Sequence, residues 1–247
     1  SNVVVEKCGV VLLTIPDDAI AIAASELAWR EGQAVIHCSG ALSIDVLEAA
    51  RQRGAMVGAL HPYQTFPSGL DATKWLPGST FAIESSGELH RWLKELVEQL
   101  QCRAVTVSAS DKPLYHAAAV IGCGFITTLL DTAAALWETM GFSNEESTNA
   151  ILSLASGTLS SIEAQGTKAV ATGPVTRGDC GTIHRHMKAL AARTPWALPL
   201  YKQTTLSMAE MVLRQGTITL DQAKEIEAVL NTSMQPFSKD TLCAEKQ

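Results

Sequence analysis

Two segments of this chain gather most of the side chains that could do chemistry. The first, His61-Pro62-Tyr63-Gln64-Thr65-Phe66, sets an imidazole beside a phenol, an amide and a hydroxyl. An imidazole can donate a proton or hold a carbonyl oxygen near neutral pH. The plainer reading is a histidine satisfied within a loop. The second segment, Gly173-Pro174-Val175-Thr176-Arg177-Gly178-Asp179-Cys180-Gly181-Thr182, joins tight-turn residues to a cation and polar partners. A guanidinium grips a carboxylate in bidentate fashion. Arg177, with Asp179 and Thr182 beside it, therefore reads as an anchor for an acidic ligand. Its plainer alternative is an Arg177–Asp179 surface pair, worth little.

A third candidate lies on a helix. Leu114, Ala118, Ile121, Phe125, Leu129, Thr132 and Leu136 recur at helical spacing, and that stripe is expected to be core. His116 falls off the stripe, near Cys123, Thr127 and Asp131. It is expected one to two turns into a buried helix, as a proton donor or as a core histidine bonded to backbone. Cys180, His184 and His186 do not make a metal site. Cys180 and His184 share a helix face, His186 does not, and a further ligand is not evident.

The elements that position these residues alternate between two periodicities. Residues 10–15 are continuously apolar and β-branched, as in a strand buried on both faces. Strands follow at 35–38, 56–60, 80–84 and 103–107, separated by helical patterns at 19–29, 43–53 and 88–100 and by a Pro- and Gly-rich loop over 62–79. Such alternation predicts βαβ units and a mostly parallel α/β sheet. Three strand ends carry small or polar residues: Pro16-Asp17, Ser39-Gly40 and His61-Pro62. Each can be an ordinary turn, but on adjacent strands they describe a ledge for a flat ring, and ligands of such sheets bind at the carboxyl ends of the strands. After Ser108 only helices are expected, one from Ser110 and others near 143–165, 181–192, 196–215 and 219–234. The expected domains are therefore 1–109, a partial Rossmann-like unit without a phosphate-gripping loop, and 110–247, all helical.

Composition narrows the class. The chain has 247 residues, 47% of them hydrophobic, enough for a sizeable core. A net charge of -6 and a pI near 5.5 argue against nucleic-acid or anionic-membrane partners. Six cysteines without a CxxC pair fit a reducing, cytoplasmic setting. The longest apolar stretches, near 117–130 and 10–15, are too short or too broken by Gly and Thr to suggest a membrane span.

The order of segments resembles one bacterial family. The carriers are Leu12-Leu13-Thr14-Ile15-Pro16-Asp17-Asp18, His37-Cys38-Ser39-Gly40, Gly58-Ala59-Leu60-His61-Pro62-Tyr63-Gln64-Thr65-Phe66-Pro67, Leu114-Tyr115-His116-Ala117-Ala118-Ala119 and Gly173-Pro174 with Arg177-Gly178-Asp179. That family joins a Rossmann-like domain to a helical C-terminal domain of unknown function. It is similar to pyrroline-5-carboxylate reductase and, more distantly, to ketopantoate reductase and 6-phosphogluconate dehydrogenase. The resemblance covers about residues 8–235. It implies an oxidoreductase using NADP or NAD, dimeric through its helical domain, that reduces a carbonyl or imine of a small carboxylic acid, with 2-oxo acids such as ketopantoate among the candidates. It places Pro16, Asp17, Ser39 and Gly40 beside the nicotinamide and its ribose, and His61 and Gln64 in the cleft. His116 falls where ketopantoate reductases carry a catalytic lysine. On this reading His116 donates the proton or polarises the carbonyl, and Arg177 holds the substrate carboxylate. The rival reading is a non-catalytic binding or scaffold protein on a degenerate Rossmann fold.

Overall fold

The apolar, β-branched runs form five strands: β1 (Val10–Leu13), β2 (Ala34–His37), β3 (Met56–Tyr63), β4 (Thr80–Glu84) and β5 (Arg103–Thr106). They lie in sequence order in one sheet. β1, β2 and β3 are parallel, β4 is antiparallel to β3, and β5 is parallel to β4. This is the Rossmann-like, mostly parallel α/β sheet that the alternation predicts. The computed structural model describes residues 2–67, 71–167 and 171–232. They divide into two compact units, Ser1–Ile126 and Thr127–Gln247.

In the first unit each face of the sheet has its own core. Ile20 and Ala24 of α2 (Asp17–Glu26), with Leu47 and Ala50, cover Val11, Leu13, Val35 and Val57. On the other face Leu89, Leu93 and Val97 of α4 (Gly87–Gln99) cover Ile36, Leu60, Phe81 and Ile83. β2 is buried along its whole length. β1 corrects the expectation of a strand buried on both faces: its burial alternates, and Leu12 is 46% exposed. The reason is position. β1 is an edge strand, and the apolar layer supplied by α4 covers its neighbours instead.

β3 also departs from expectation, running through His61-Pro62 to Tyr63 rather than ending there. Its register with β2 stops at Ala59, while that with β4 continues to Tyr63. Beyond Ala59 the strand has a neighbour on one side only, the setting in which a strand tolerates proline. His61 is thereby held opposite Ala82, in a ladder and not in a loop.

The helical run Ala109–Glu138 is continuous for 30 residues. It starts at an N-cap residue Ser108, not Ser110, and comprises a 3-10 turn, α5 (Lys112–Val120), a π turn (Ile121–Phe125) and α6 (Ile126–Glu138). Gly122 and Gly124 do not break it, which corrects the expectation that the apolar stretch near 117–130 is too short or too broken to suggest a span. By length and composition alone it could cross a membrane. Its expected core stripe is exposed, with Leu114 at 75% and Phe125 at 54%. Spacing reports which face is apolar, not which face finds cover. Over α5 the less exposed face is Lys112, Tyr115, His116 and Ala119, related as i, i+3, i+4 and i+7.

The second unit holds the rest of the helices close to their expected places: α7 (Asn144–Gln165), α8 (Cys180–Arg193), α9 (Leu198–Arg214) and α10 (Leu220–Asn231), numbered after the four-residue α3 (Glu48–Arg51) and the N-terminal α1 (Asn2–Lys7). Capping boxes start α7 at Ser143 and α10 at Thr219. Val175, Ile183, Met187, Val212, Ile226 and Leu230 form its core.

Candidate active site

The chemistry gathers at the carboxyl ends of β1, β2 and β3, wholly within residues 1–126. At the end of β1, Pro16 is the N-cap residue of α2 and Asp17 its first residue. The Asp17 carboxylate is thus not the cap. It accepts a hydrogen bond from Ser39 Oγ at 2.7 Å. Ser39 Oγ also accepts from the backbone N–H groups of Ala41 and Leu42, which fixes the turn after β2. His37, the last residue of β2, is 0% exposed. Its Nδ1 accepts from the Ser39 N–H at 3.2 Å, so Nε2 is buried and carries the hydrogen, on the side of the Ser43 backbone.

Gly40 is the centre of the arrangement. A Cβ there would stand 2.7 Å from His61 Nε2 and 2.7 Å from His116 Nδ1. Two imidazole nitrogens from different elements therefore converge on this glycine, an approach that only a residue without a side chain permits. His116 Nδ1 is buried and has no hydrogen-bond partner. Tyr115 OH lies 2.7 Å from His61 Nδ1, and its ring also packs on Tyr63 at 5.1 Å between centroids.

Beneath them lies a residue that spacing alone did not single out. Lys112 is 1% exposed, with Nζ 3.5 Å from Glu84 Oε2 and donating to Ser39 O at 3.4 Å. The buried lysine of this helix is thus one turn before His116, on the same face. The signal was legible as Lys112, Tyr115 and His116 at i, i+3 and i+4. Glu84 ends β4 and also accepts from the Ile44 N–H. Burial pushes the Lys112 ammonium below the ordinary lysine range, and Glu84 pulls it back.

Both inner histidines are held neutral. Burial, then the Lys112 charge, lowers His37 to about 4. Burial, then His116 and Lys112, lowers His61 to about 4. Each group titrates at 6.5 when unperturbed. Below that pH the unfolded chain binds more protons than the fold, so stability is lost as pH falls from about 6.5 toward 4. Urea midpoints measured across this window should drop with pH, and His37→Gln should flatten the slope. Equal slopes in both proteins would contradict the burial of a neutral His37.

Of the expected site residues, the structure brings together Asp17, Ser39, Gly40, His61 and His116, with Pro16 adjoining. Gln64 has other work: its amide donates to Trp75 O at 3.1 Å and Ser79 Oγ at 3.2 Å, tying the end of β3 to the following loop. In the second unit Asp179 and Thr182 form the cap of α8. Thr182 N donates to Asp179 Oδ1 at 2.9 Å and Thr182 Oγ1 to Oδ2 at 2.6 Å, which hold the Asp179 carboxyl below the usual carboxylate range. Gly178 turns the chain there with φ of 63°, where a Cβ would meet Gln222. Arg177 is exposed, and its guanidinium has no hydrogen-bond partner among the described residues.

Gly40→Ala tests the convergence. The clashing atoms are ring ends, so the rings should yield before the backbone does, and the fold should persist. A misplacement of about 1 Å can cost roughly 10²-fold in turnover, and turnover should fall on that scale while the urea midpoint barely moves. Unchanged turnover would remove Gly40 from the site.

Comparison with known proteins places the arrangement in a context. Residues 79–208 match a domain of unknown function, DUF2520, and residues 1–62 match a Rossmann-like domain. No curated protein matches the chain in sequence. Among solved structures, a Bacteroides fragilis protein provisionally named an NADP oxidoreductase is 22% identical, covering 82% of this chain and 76% of its own, with a TM-score of 0.69. A pyrroline carboxylate reductase of Plasmodium falciparum, solved with NADP bound, is 13% identical over 91% of this chain and 78% of its own, with a TM-score of 0.54. A reductive aminase of Aspergillus terreus, solved with NADPH and ethyl levulinate, is 13% identical over 93% and 74%, with a TM-score of 0.53. These likenesses are likenesses of fold.

Proposed function

The chain belongs to the DUF2520 family, and from that membership and the geometry at Gly40 we propose that it is an NADP(H)-dependent reductase of a carbonyl or imine on a small carboxylic acid. The observation that carries the reading is the convergence of His61 Nε2 and His116 Nδ1 on Gly40 at the carboxyl ends of three parallel strands. Neighbours in fold that bind NADP or NADPH support it.

The residues present fit the nicotinamide end of such a cofactor. The lack of a Cβ at Gly40 lets the His61 and His116 rings close against the backbone at the strand ends. The Asp17 carboxylate, oriented by Ser39 Oγ, offers an acceptor oxygen to a ribose hydroxyl, with Pro16 beside it. When bound, the cofactor supplies hydride. The chain's own part is to hold the acceptor and deliver a proton. His61 holds the substrate oxygen or nitrogen, and His116, with a buried and unpartnered Nδ1, supplies the proton to that atom. A small acid is the substrate class that a guanidinium such as the exposed Arg177 would recognise. NADPH consumption with a panel of 2-oxo acids and cyclic imino acids, each beside its amide, is the test. The reading expects turnover with at least one acid and a loss with its amide. Silence across the panel would favour a binding protein.

We place this enzyme in the cytoplasm as a homodimer. Leu114, Ile121, Phe125 and Leu129 leave an apolar stripe exposed along one helical run, and a second copy related by a two-fold axis would cover it. Light scattering at micromolar concentration should give twice the 26.3 kDa chain mass. A clean monomer would contradict the dimer.

A further inference from the structure

We propose that Tyr115 is a positioning residue for His61: its phenol donates to Nδ1 and so fixes the tautomer in which Nε2 carries the hydrogen and presents it over Gly40. This deepens the reductase reading and rests on it only for the consequence in turnover.

The contact is 2.7 Å, the length of a good hydrogen bond, and the two rings meet edge to face with centroids 5.5 Å apart. A neutral imidazole has one donor nitrogen and one acceptor, so the direction of this bond decides what the other nitrogen does. The groups facing His61 are Lys112, Tyr115 and His116 from α5, Asp17 from α2 and His37 from β2, with Tyr63 packed on Tyr115. Lys112 is committed to Glu84 and Ser39 O, and Asp17 to Ser39 Oγ. The phenol is left to set the tautomer. Burial, and then Tyr63, hold its proton above the ordinary tyrosine range. Its bond to His61 is the only hydrogen bond of that hydroxyl among the described residues. Were Nδ1 the donor, the half-buried phenol hydrogen would be left without an acceptor, which is costly. With the phenol donating, both groups are satisfied and Nε2–H faces the glycine.

His61 then acts as a neutral hydrogen-bond donor to the substrate heteroatom, not as the source of its proton. That division explains two imidazoles at one point: His61 polarises, and His116 supplies the proton.

Ring nitrogen NMR of the full chain labelled with ¹⁵N-histidine reads the tautomer directly, with His61→Gln assigning the signals. At neutral pH the wild-type His61 should show Nδ1 as a bare acceptor and Nε2 protonated. Tyr115→Phe should give a mixture of tautomers, raise the His61 titration midpoint, and lower kcat more than KM. A wild-type His61 protonated on Nδ1, or a Tyr115→Phe spectrum identical to wild type, would overturn the proposal. The spectrum reports the tautomer before any substrate is found, so it fails or succeeds separately from the reductase assay.

Discussion

His116→Ala should lower turnover by ~10²–10⁴-fold, the usual contribution of a positioned general acid. His61→Ala, which removes a fixed hydrogen-bond donor, should lower it by ~10²–10³-fold. The fold should survive both. His116 Nδ1 makes no hydrogen bond to lose, and His61 loses one shared with Tyr115. The two losses should not add, because both residues act on one atom of the substrate. A double variant only slightly worse than either single one is therefore expected. Comparison of kcat and KM in variants with wild-type urea midpoints checks this. Wild-type turnover in a well-folded His116→Ala protein would remove it from the reaction.

Glu84→Ala should be the most damaging change to stability. Lys112 is buried, and among the described residues Glu84 is the carboxylate within salt-bridge distance of it. Removing one partner of a buried pair leaves a charge uncompensated, at a cost of about 3–5 kcal/mol. Glu84 also accepts the Ile44 N–H, which would lose its acceptor. Replacing both residues with apolar ones of similar volume is commonly neutral or stabilising. Glu84→Leu with Lys112→Met should therefore recover most of the loss. Urea denaturation with constant m reads both effects. A Glu84→Ala protein within about 1 kcal/mol of wild type would mean that the pair is solvated.

Much of the sheet was legible because its signal is local. β2, β4 and β5 declare themselves as apolar, β-branched runs, and the start of the 3-10 turn after Ser43 follows from a side chain that caps Asp45 N. The ledge of Asp17, Ser39 and His61 was legible because strand ends in a parallel sheet share one edge. What was hidden depends on distance along the chain. Tyr115 meets His61 across 54 residues, and Lys112 meets Ser39 across 73. No periodicity records such pairs. The helix stripe at Leu114 and Phe125 misled for a related reason, since an apolar face needs a partner that spacing does not name. The loop contacts of Gln64 were hidden too, because an amide beside a catalytic-looking histidine can equally tie its own loop.

The most direct test of the central claim is label transfer. The protein is incubated with NADPH deuterated at the transferable position and with each acid of the carbonyl and imine panel, and the product is examined by mass spectrometry. The account predicts one deuterium on the former carbonyl or imine carbon of at least one product, and its loss in His116→Ala protein that keeps the wild-type urea midpoint. Products without deuterium, or no product from any member of the panel, would contradict it.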